Sequence, residues 1–406
     1  MTTVPDAAEA PGCPFGGVKT PFDASYFADP YTTYRRLHTE GPVHRIKTPE
    51  GYDAWLVTRY TDVHQLLGDH RLVRQVRHAK GEYYRFPLPV EFSRSLVRED
   101  PPVHTRLRRY MNLAFAPKRV RPLRPRIEAV TDELVTALGD SGETDLMASL
   151  AMPLPITIIA EMLDVSAEEQ GDFRRWADSL VGLDQEELRK GGISMLHCLS
   201  RLVELKRKEP GDDIWNDWIR GHQGQEEPLE TDELLGLGFM VLLGGYDPTA
   251  GVIGSAILRL LEEPDLAQRL REQPELMPSA VEEFLRLHGA SHTAARRFAA
   301  EDVEVAGVTI PAGSAVFLSL SAANRDPEKF EDPEVFEPDR SPNRHVALGQ
   351  GPHFCSGAEL ARMEITAALE AVLHRLPNLR LAVPAEELRL RPGYSIRSLE
   401  KLPVTY

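Results

Sequence analysis

The chain has 406 residues, of which 42% are hydrophobic and 27% charged, an ordinary composition for a soluble globular protein with a deep core. Its formal net charge of −15 argues against a nucleic-acid binder, because such proteins hold phosphates with an excess of basic side chains. The three cysteines, Cys13, Cys198 and Cys355, are too few and too widely spaced for a disulfide framework. Their usage is typical of a reducing, cytoplasmic location.

The N-terminal 20 residues are predicted to form a loose arm, and residues 21–406 one compact domain. The arm lacks a basic segment followed by an apolar core, so it does not resemble a secretory signal peptide. The apolar run Leu234–Leu243 is too short to cross a bilayer before Asp247 interrupts it. It therefore predicts a buried core helix, and no association with a membrane is expected.

Taken in chain order, the sequence predicts a helix in PYTTYRRLHTEG (30–41), a strand in DAWLVT (53–58) and an aromatic loop over 81–92. From about residue 100 to 290, apolar residues recur at three- and four-residue spacing, which indicates helices. VEVAGVTIPAGSAVFLSL (303–320) is β-branched with turn signals and predicts strands. A last helix is predicted at 358–376, followed by short strands. The predicted fold is mainly α with a small β region.

The segment LGQGPHFCSG (348–357) surrounds Cys355 with glycines and a proline, just before the last helix. Such a loop points a thiolate outward, and the nearby helix N-terminus is expected to lower the pKa of the thiol. A thiolate in a glycine-rich pocket suits the axial position of a haem iron. Taken alone, the commoner interpretation is a cysteine that serves as a small buried hydrophobe.

The spacing of glycine, histidine and cysteine in this segment closely resembles the haem-binding loop of cytochrome P450 enzymes. Leu348 stands where that family usually has Phe, a departure expected to change packing near the sulfur rather than ligation. Three further segments match in the family's order: DPPVHTRLRR (100–109), AVEEFLRL (280–287) and FEPDR (336–340). The resemblance covers nearly the whole chain. It implies the cytochrome P450 fold in a single haem-binding domain, with Cys355 as the metal ligand.

The resemblance also assigns the residues around the cofactor, haem b. It implies that the haem carboxylates are held by His104, Arg108, Arg297 and His353, with Arg296 competing with Arg297. It places Gly349 and Gly245 against the cofactor. Cationic partners are physically reasonable, because burying two carboxylates alone is costly. It further implies that Glu283, Arg286 and Arg340 form a buried structural ion-pair network; alone, the first two would be an ordinary helix-surface pair.

The segment GGYDPTAG (244–251) lies in an apolar helix and departs from the family pattern, which has a threonine directly after the acid. Here Asp247 fits the acid, but Pro248 follows it and Thr249 comes one residue late. In the family the acid and the threonine deliver protons to oxygen bound at the haem. Because one residue turns a helix by about 100°, an undisturbed helix aims Thr249 elsewhere. Either a kink rotates it back, or the relay is altered; we favour the altered relay.

An altered relay suits oxidative coupling of aromatic rings without oxygen insertion, the alternative to a monooxygenase; a haem-binding sensor or carrier is a remote third possibility. The variable segments predict a small, aromatic substrate of natural-product type, held by Tyr83, Tyr84, Phe86, Tyr246, Ala290 and His292.

No nucleotide-binding fingerprint occurs, so electrons are expected from NAD(P)H through a separate ferredoxin reductase and ferredoxin. The basic run from His104 to Arg126 is a candidate docking patch; equally, it is a solvated surface.

Overall fold

The computed structural model describes residues 17–80, 83, 88–181, 184–221, 227–391, 393 and 395–406. Tyr84 and Phe86, predicted to contact substrate, lie outside the described residues, as do most of the predicted arm and Cys13. The end of that arm is attached to the domain, because Lys19 forms a β-bridge with Ile46.

Helices form most of the described chain, which confirms the predicted mainly α fold. The first ten are α1 (Ala24–Ala28), α2 (Pro30–Glu40), α3 (Tyr60–Leu67), α4 (Val103–Ala114), α5 (Pro117–Val120), α6 (Arg124–Thr136), α7 (Pro153–Met162), α8 (Gln170–Leu180), α9 (Gln185–Lys208) and α10 (Ile214–Arg220). They are followed by α11 (Thr231–Gly245), α12 (Asp247–Glu262), α13 (Pro264–Glu272), α14 (Met277–His288), α15 (Leu320–Ala323) and α16 (Ala358–Arg375).

The strands are short and lie in three small sheets. In chain order they are β1 (Val43–Lys47), β2 (Asp53–Val57), β3 (Leu72–Val73), β4 (Glu143–Asp145), β5 (Arg297–Ala299), β6 (Val303–Val305), β7 (Val308–Ile310), β8 (Ala315–Leu318), β9 (Arg380–Leu381) and β10 (Pro403–Thr405). The main sheet has the order β1-β2-β8-β5-β3, in which only the β2–β8 pair is parallel. Strands β4, β10 and β9 form a second sheet, and β6 and β7 form a hairpin.

The central helices α11 and α12 lie in the largest hydrophobic cluster, where α12 packs against α14 and α16. A capping box formed by Glu230 and Glu233 starts α11. The run Thr231–Glu262 is long and apolar enough to cross a membrane, but 61% of its apolar window is buried inside the protein. The run is therefore the core helix that the sequence predicts, and it forms one wall of the cavity described next.

Candidate functional site

A cavity of about 480 Å³ lies between the α11–α12 wall, α4, the segment after α14 and the start of α16. Cys355 and its loop form part of its lining. No group of three or more His, Cys, Asp or Glu side chains placed to hold a metal ion occurs in the described part of the chain. The described residues therefore do not form a multi-ligand metal cluster, and Cys355 is the thiol that lines this cavity.

The loop before α16 is shaped by glycines. Gly349 and Gly351 have φ values of +76° and +70°, a region that residues with a Cβ rarely adopt. The turn is closed by the Cys355 backbone N–H, which donates to the carbonyl of Leu348 at 2.9 Å. Gly349 and Gly245, both predicted to lie against the cofactor, line the cavity. The loop thus holds Cys355 at the cavity wall, and the backbone N–H of Cys355 is already hydrogen-bonded within the loop.

The predicted lowering of the Cys355 pKa is wrong for the metal-free protein. Burial raises the pKa of this thiol, although the Gly357 N–H and the charges of Arg108 and Arg362 act in the opposite direction. The helix terminus does supply the Gly357 N–H, but it does not offset the loss of hydration. A bound metal ion supplies the positive charge that a buried thiolate needs.

Arg297, rather than Arg296, faces the cavity. Its position in β5, between β8 and β3, buries the side chain, and Nη1 and Nη2 donate to the carbonyls of Leu66 and Leu67 at 3.2 and 3.0 Å. Arg296 instead lies over the ring of Phe298, 5.2 Å from its centroid, and does not line the cavity. This placement supports the choice of Arg297 from the two candidates.

The remaining predicted carboxylate partners lie close to Arg297; Arg108 and His353 line the cavity, whereas His104 does not line it and packs against His353. The His104 and His353 rings are 4.2 Å apart, and Arg108 donates to the carbonyl of Phe354 at 2.6 Å. Burial, followed by nearby arginine charges, lowers the pKa of both histidines. They therefore contribute N–H donors rather than positive charge, whereas the arginines contribute both.

Arg74 is a cavity-lining cation that the sequence interpretation missed. It follows β3, is 6% exposed, and no motif marks it in the sequence. Three buried nitrogens near this end have no hydrogen-bond partner among the described residues: the donors Nε of Arg74 and Nε of Arg297, and Nε2 of His104, which donates in one of its two tautomers. Unpaired buried donors of this kind require an acceptor. The residues present therefore fit a ligand with carboxylates at one end and a metal at Cys355, which is the chemistry of haem b.

The central helix is interrupted at Tyr246, whose φ and ψ are −85° and −82°. Because α12 restarts at Asp247, Pro248 lies in a first turn, where its missing N–H is tolerated. Thr249 lines the cavity with Cys355, and its hydroxyl makes no hydrogen bond to the residues that the structure describes. This orientation supports the alternative in which the interruption rotates Thr249 back toward the cavity.

Asp247 does not line the cavity, although Pro248 beside it does. Its Oδ1 lies 3.4 Å from Nη1 of Arg391 and 3.4 Å from Oγ of Ser398, both in the C-terminal segment. Burial raises the pKa of this carboxyl, and the charge of Arg391 opposes that effect. An acid at the first position of α12 also suits the helix dipole. Asp247 therefore has a structural explanation that the sequence alone did not provide.

Most residues predicted to contact substrate lie elsewhere. Tyr246 is fully buried and donates to Asp178 on α8, and His292 is enclosed near Tyr34. Tyr83 packs against Phe298 with ring centroids 5.7 Å apart. Of the predicted substrate residues that the structure describes, only Ala290 lines the cavity. Residues adjacent to Tyr246 and His292 line the cavity, whereas the side chains of Tyr83, Tyr246 and His292 do not.

Glu283, Arg286 and Arg340 meet as the resemblance implies. Arg286 binds the Glu283 carboxylate through Nε at 2.7 Å and Nη2 at 2.6 Å, and Arg340 Nε donates to Glu283 Oε1 at 3.0 Å. Glu283 and Arg286 are completely buried. They do not line the cavity, so a structural role remains the prediction for them.

The basic run from His104 to Arg126 is largely paired rather than free for docking. Arg119 binds Asp217 and Asp212, Arg121 binds Glu359, and Arg126 binds Glu161. These ion pairs reduce the charge that the run presents to an acidic partner. The run is therefore a weaker docking candidate than its composition predicts.

The cytochrome P450 family model matches residues 201–382. Over 392 residues the chain is 40% identical to cytochrome P450 107B1 of Saccharopolyspora erythraea, covering 94% of this chain and 96% of that protein. It is 37% identical over 416 residues to 6-deoxyerythronolide B hydroxylase of the same organism, covering 100% and 99%. The structure of Bacillus subtilis PksS, described as the cytochrome P450 of the bacillaene polyketide synthase, superposes with a TM-score of 0.89 at 32% identity, covering 95% and 98%. Because relatives of 37% and 40% identity align with nearly its whole length, the chain belongs to the cytochrome P450 family.

Proposed function

We propose that the enzyme inserts one oxygen atom of dioxygen into a largely aliphatic natural product, while the second oxygen atom leaves as water. As a family member the chain is a haem-thiolate oxidoreductase of the secondary-metabolite type. The observation that carries the proposal is one cavity containing both Cys355 and the unpaired hydroxyl of Thr249. The two electrons and two protons that this reaction requires come from NAD(P)H and from solvent.

The cavity lining favours an aliphatic substrate over the aromatic one that the sequence predicts. Among the described residues, and apart from Phe115 and Phe354 near the Cys loop, its apolar lining is aliphatic, with Leu96, Val97, Met240, Leu243 and Ile396 among the large side chains. Such a surface binds saturated carbon by burial, which contributes about 25 cal/mol per Å². Among the relatives, one is named a 6-deoxyerythronolide B hydroxylase and another the cytochrome P450 of the bacillaene polyketide synthase, and these names support a natural-product substrate.

The protein's own residues have four roles in this proposal. Cys355 holds the metal, and the arginines and histidines at one end of the cavity hold the carboxylates of the cofactor. When bound, haem held by the Cys355 thiolate would supply the activation of dioxygen. The aliphatic lining orients the substrate and excludes water, and the Thr249 hydroxyl holds a proton at the interrupted helix. A carrier needs no such hydroxyl, so turnover is favoured over simple binding.

Binding and turnover of candidate substrates test this function directly. Purified holoenzyme is titrated with aliphatic lactones and with aromatic compounds of equal size, and the shift in haem absorbance is recorded. We expect tighter binding of the aliphatic series and products heavier by one oxygen atom. A product that is lighter by two hydrogen atoms and carries a new bond between two rings would instead establish oxidative coupling, the alternative suggested by Pro248; the same mass change without that bond would show desaturation. Tight binding without any product would establish a carrier.

Thr249→Ala is expected to uncouple the enzyme. NAD(P)H consumption continues, peroxide rises, and product per NAD(P)H falls, because the cavity loses its positioned proton donor. Such donors contribute roughly 10²–10⁴-fold to rates, and ordered water can replace part of this. Thr293→Ala is the matched control, since Thr293 lines the same cavity but its hydroxyl is already 3.1 Å from Oγ of Ser395.

Two further variants separate the alternatives for the relay. Thr249→Ser keeps the hydroxyl and is expected to stay coupled. Pro248→Thr places a hydroxyl at the family's usual position; if Thr249 is the working group, this change brings no gain. Unchanged coupling in Thr249→Ala, together with more oxygen insertion in Pro248→Thr, would show that the relay is altered.

We propose that the enzyme receives its electrons from a separate ferredoxin and ferredoxin reductase in the cytoplasm. The relatives align with nearly the full 406 residues, and no nucleotide-binding fingerprint occurs in the sequence. A reconstituted system with a ferredoxin and its reductase, compared with NAD(P)H alone, tests this arrangement. Turnover with NAD(P)H alone would contradict it.

A further inference from the structure

Arg74 has one edge of its guanidinium group unused. Nη1 donates to the carbonyls of Ala295 and Arg296, and the backbone N–H of Arg74 donates to the Asp100 carboxylate at 2.9 Å. Nε is buried without an acceptor, and no hydrogen bond of Nη2 to a described residue is present. The Nε–Nη2 edge is the edge that binds a carboxylate through two parallel hydrogen bonds.

The surroundings of this edge are short of negative charge. Burial and the neighbouring Arg297 lower the pKa of Arg74 to about 9, and Asp100 opposes the shift. Glu364 also lines the cavity, but burial raises its pKa well above the ordinary value, which favours the neutral acid. Asp100 binds the Arg74 backbone and leaves the guanidinium edge unpaired, so the neighbouring buried arginines Arg74 and Arg297 favour a further anion at this end of the cavity.

We infer that Arg74 is a further residue that binds a carboxylate of the haem, beyond the four residues that the sequence predicts. Arg74 and Arg297 line the same cavity as Cys355, and each has an unpaired Nε. Two arginines of this kind match the two carboxylates of one cofactor. The inference rests on the proposed haem site, and it adds a residue that lies 281 positions before Cys355 in the chain.

The alternative role for Arg74 is structural, through its bonds to Ala295 and Arg296, and a carboxylate on the substrate is another possible partner. The experiment therefore compares haem with its dimethyl ester, in which both carboxylates are blocked. Wild type, Arg74→Met and Arg71→Met are each loaded with either cofactor, and the rate of cofactor loss to excess apomyoglobin is measured. Arg71 is the matched control, because it pairs with Asp69 at 2.7 Å and is 31% exposed.

We expect Arg74→Met to lose haem about 10- to 100-fold faster than wild type, the range of one charged hydrogen bond. It should lose the dimethyl ester at the wild-type rate, and Arg71→Met should match wild type with both cofactors. Equal acceleration with both cofactors would show a structural role and overturn the inference. If Arg74→Met loses neither cofactor faster than wild type, the inference is also overturned. The partner of Arg74 would then be a carboxylate on the substrate.

Folding of the variant is checked by circular dichroism. If Arg74→Met does not fold, Arg74→Gln replaces it, since glutamine keeps a donor for the two carbonyls and removes the charge. If Arg74→Gln also fails to fold, the residue is structural and the inference is wrong. Failure of the wild-type protein to retain either cofactor would instead refute the proposed haem site itself, so the two outcomes are distinguishable.

Discussion

Cys355→Ala is expected to abolish the long-wavelength absorption band of the reduced carbon monoxide complex, the band from which the family takes its name. That band requires a thiolate on the iron, and Cys355 is the described cysteine that lines the cavity. Substrate oxidation should disappear with it, because the thiolate supplies the electron density that favours cleavage of the oxygen–oxygen bond. Absorption spectra of the reduced protein with and without carbon monoxide measure the first effect, and product analysis measures the second.

The control is a second cysteine. Cys198 lies in α9, is 3% exposed and belongs to the hydrophobic core. Cys198→Ala should keep the band and lose only the packing of one small side chain. If Cys355→Ala retains the band, another side chain ligates the iron and the assignment is wrong. Loss of the band in both variants would indicate general unfolding. A thermal melt of each variant distinguishes unfolding from loss of the iron ligand.

The sequence predicts best those features that are contiguous in the chain. The Cys loop and the Glu283–Arg286 pair each lie within ten residues, so their spacing alone places the groups together. The core helix at Thr231–Glu262 also follows from its apolar run. Arg340 joins the buried pair from 54 positions beyond Arg286, and only the resemblance to the family predicts that contact.

The sequence does not predict the direction of individual side chains or the contacts between residues that are far apart in the chain. Tyr246 lies at the helix interruption, and its hydroxyl donates to Asp178 on α8 instead of facing the cavity. Asp247 contacts Arg391, which lies 144 residues later in the chain, and no local sequence pattern predicts that contact. The sign of the Cys355 pKa shift depends on burial, a property of the whole fold. Each error has the same cause, since the deciding neighbour is far away in the chain.

The buried network around Glu283 is connected to the Cys loop by hydrogen bonds. Arg286 Nη1 donates to the carbonyl of Asn324, whose side-chain oxygen accepts the backbone N–H of Val346 at 2.7 Å. The Val346 carbonyl in turn accepts the N–H of Gly349, the first glycine of the loop. Asn343 Nδ2 also donates to Glu283 Oε2 at 3.0 Å. The segment leading to the cofactor ligand is thus held by the Glu283–Arg286 pair.

Glu283→Ala is therefore expected to give a poorly folded, haem-poor protein. Its carboxylate accepts hydrogen bonds from two arginines, an asparagine and the Glu337 backbone, all of which lose their acceptor. Breaking a buried ion pair by removing one partner costs roughly 3–5 kcal/mol, a large share of the roughly 5–15 kcal/mol that stabilises a typical domain. Urea unfolding, and the ratio of haem absorbance to protein absorbance after purification, measure the two effects.

Glu282→Ala is the matched control, one residue earlier on the same helix. Its carboxylate binds Arg362 at 2.5 Å and His345 at 3.1 Å but is 28% exposed, so its loss should cost less than the loss of the fully buried Glu283 carboxylate. The contrast between neighbouring glutamates separates burial from helix position. A Glu283→Ala protein that keeps wild-type stability and full haem, yet turns over slowly, would contradict a structural role. Because Glu283 does not line the cavity, that result would require it to act on the reaction through the Cys loop.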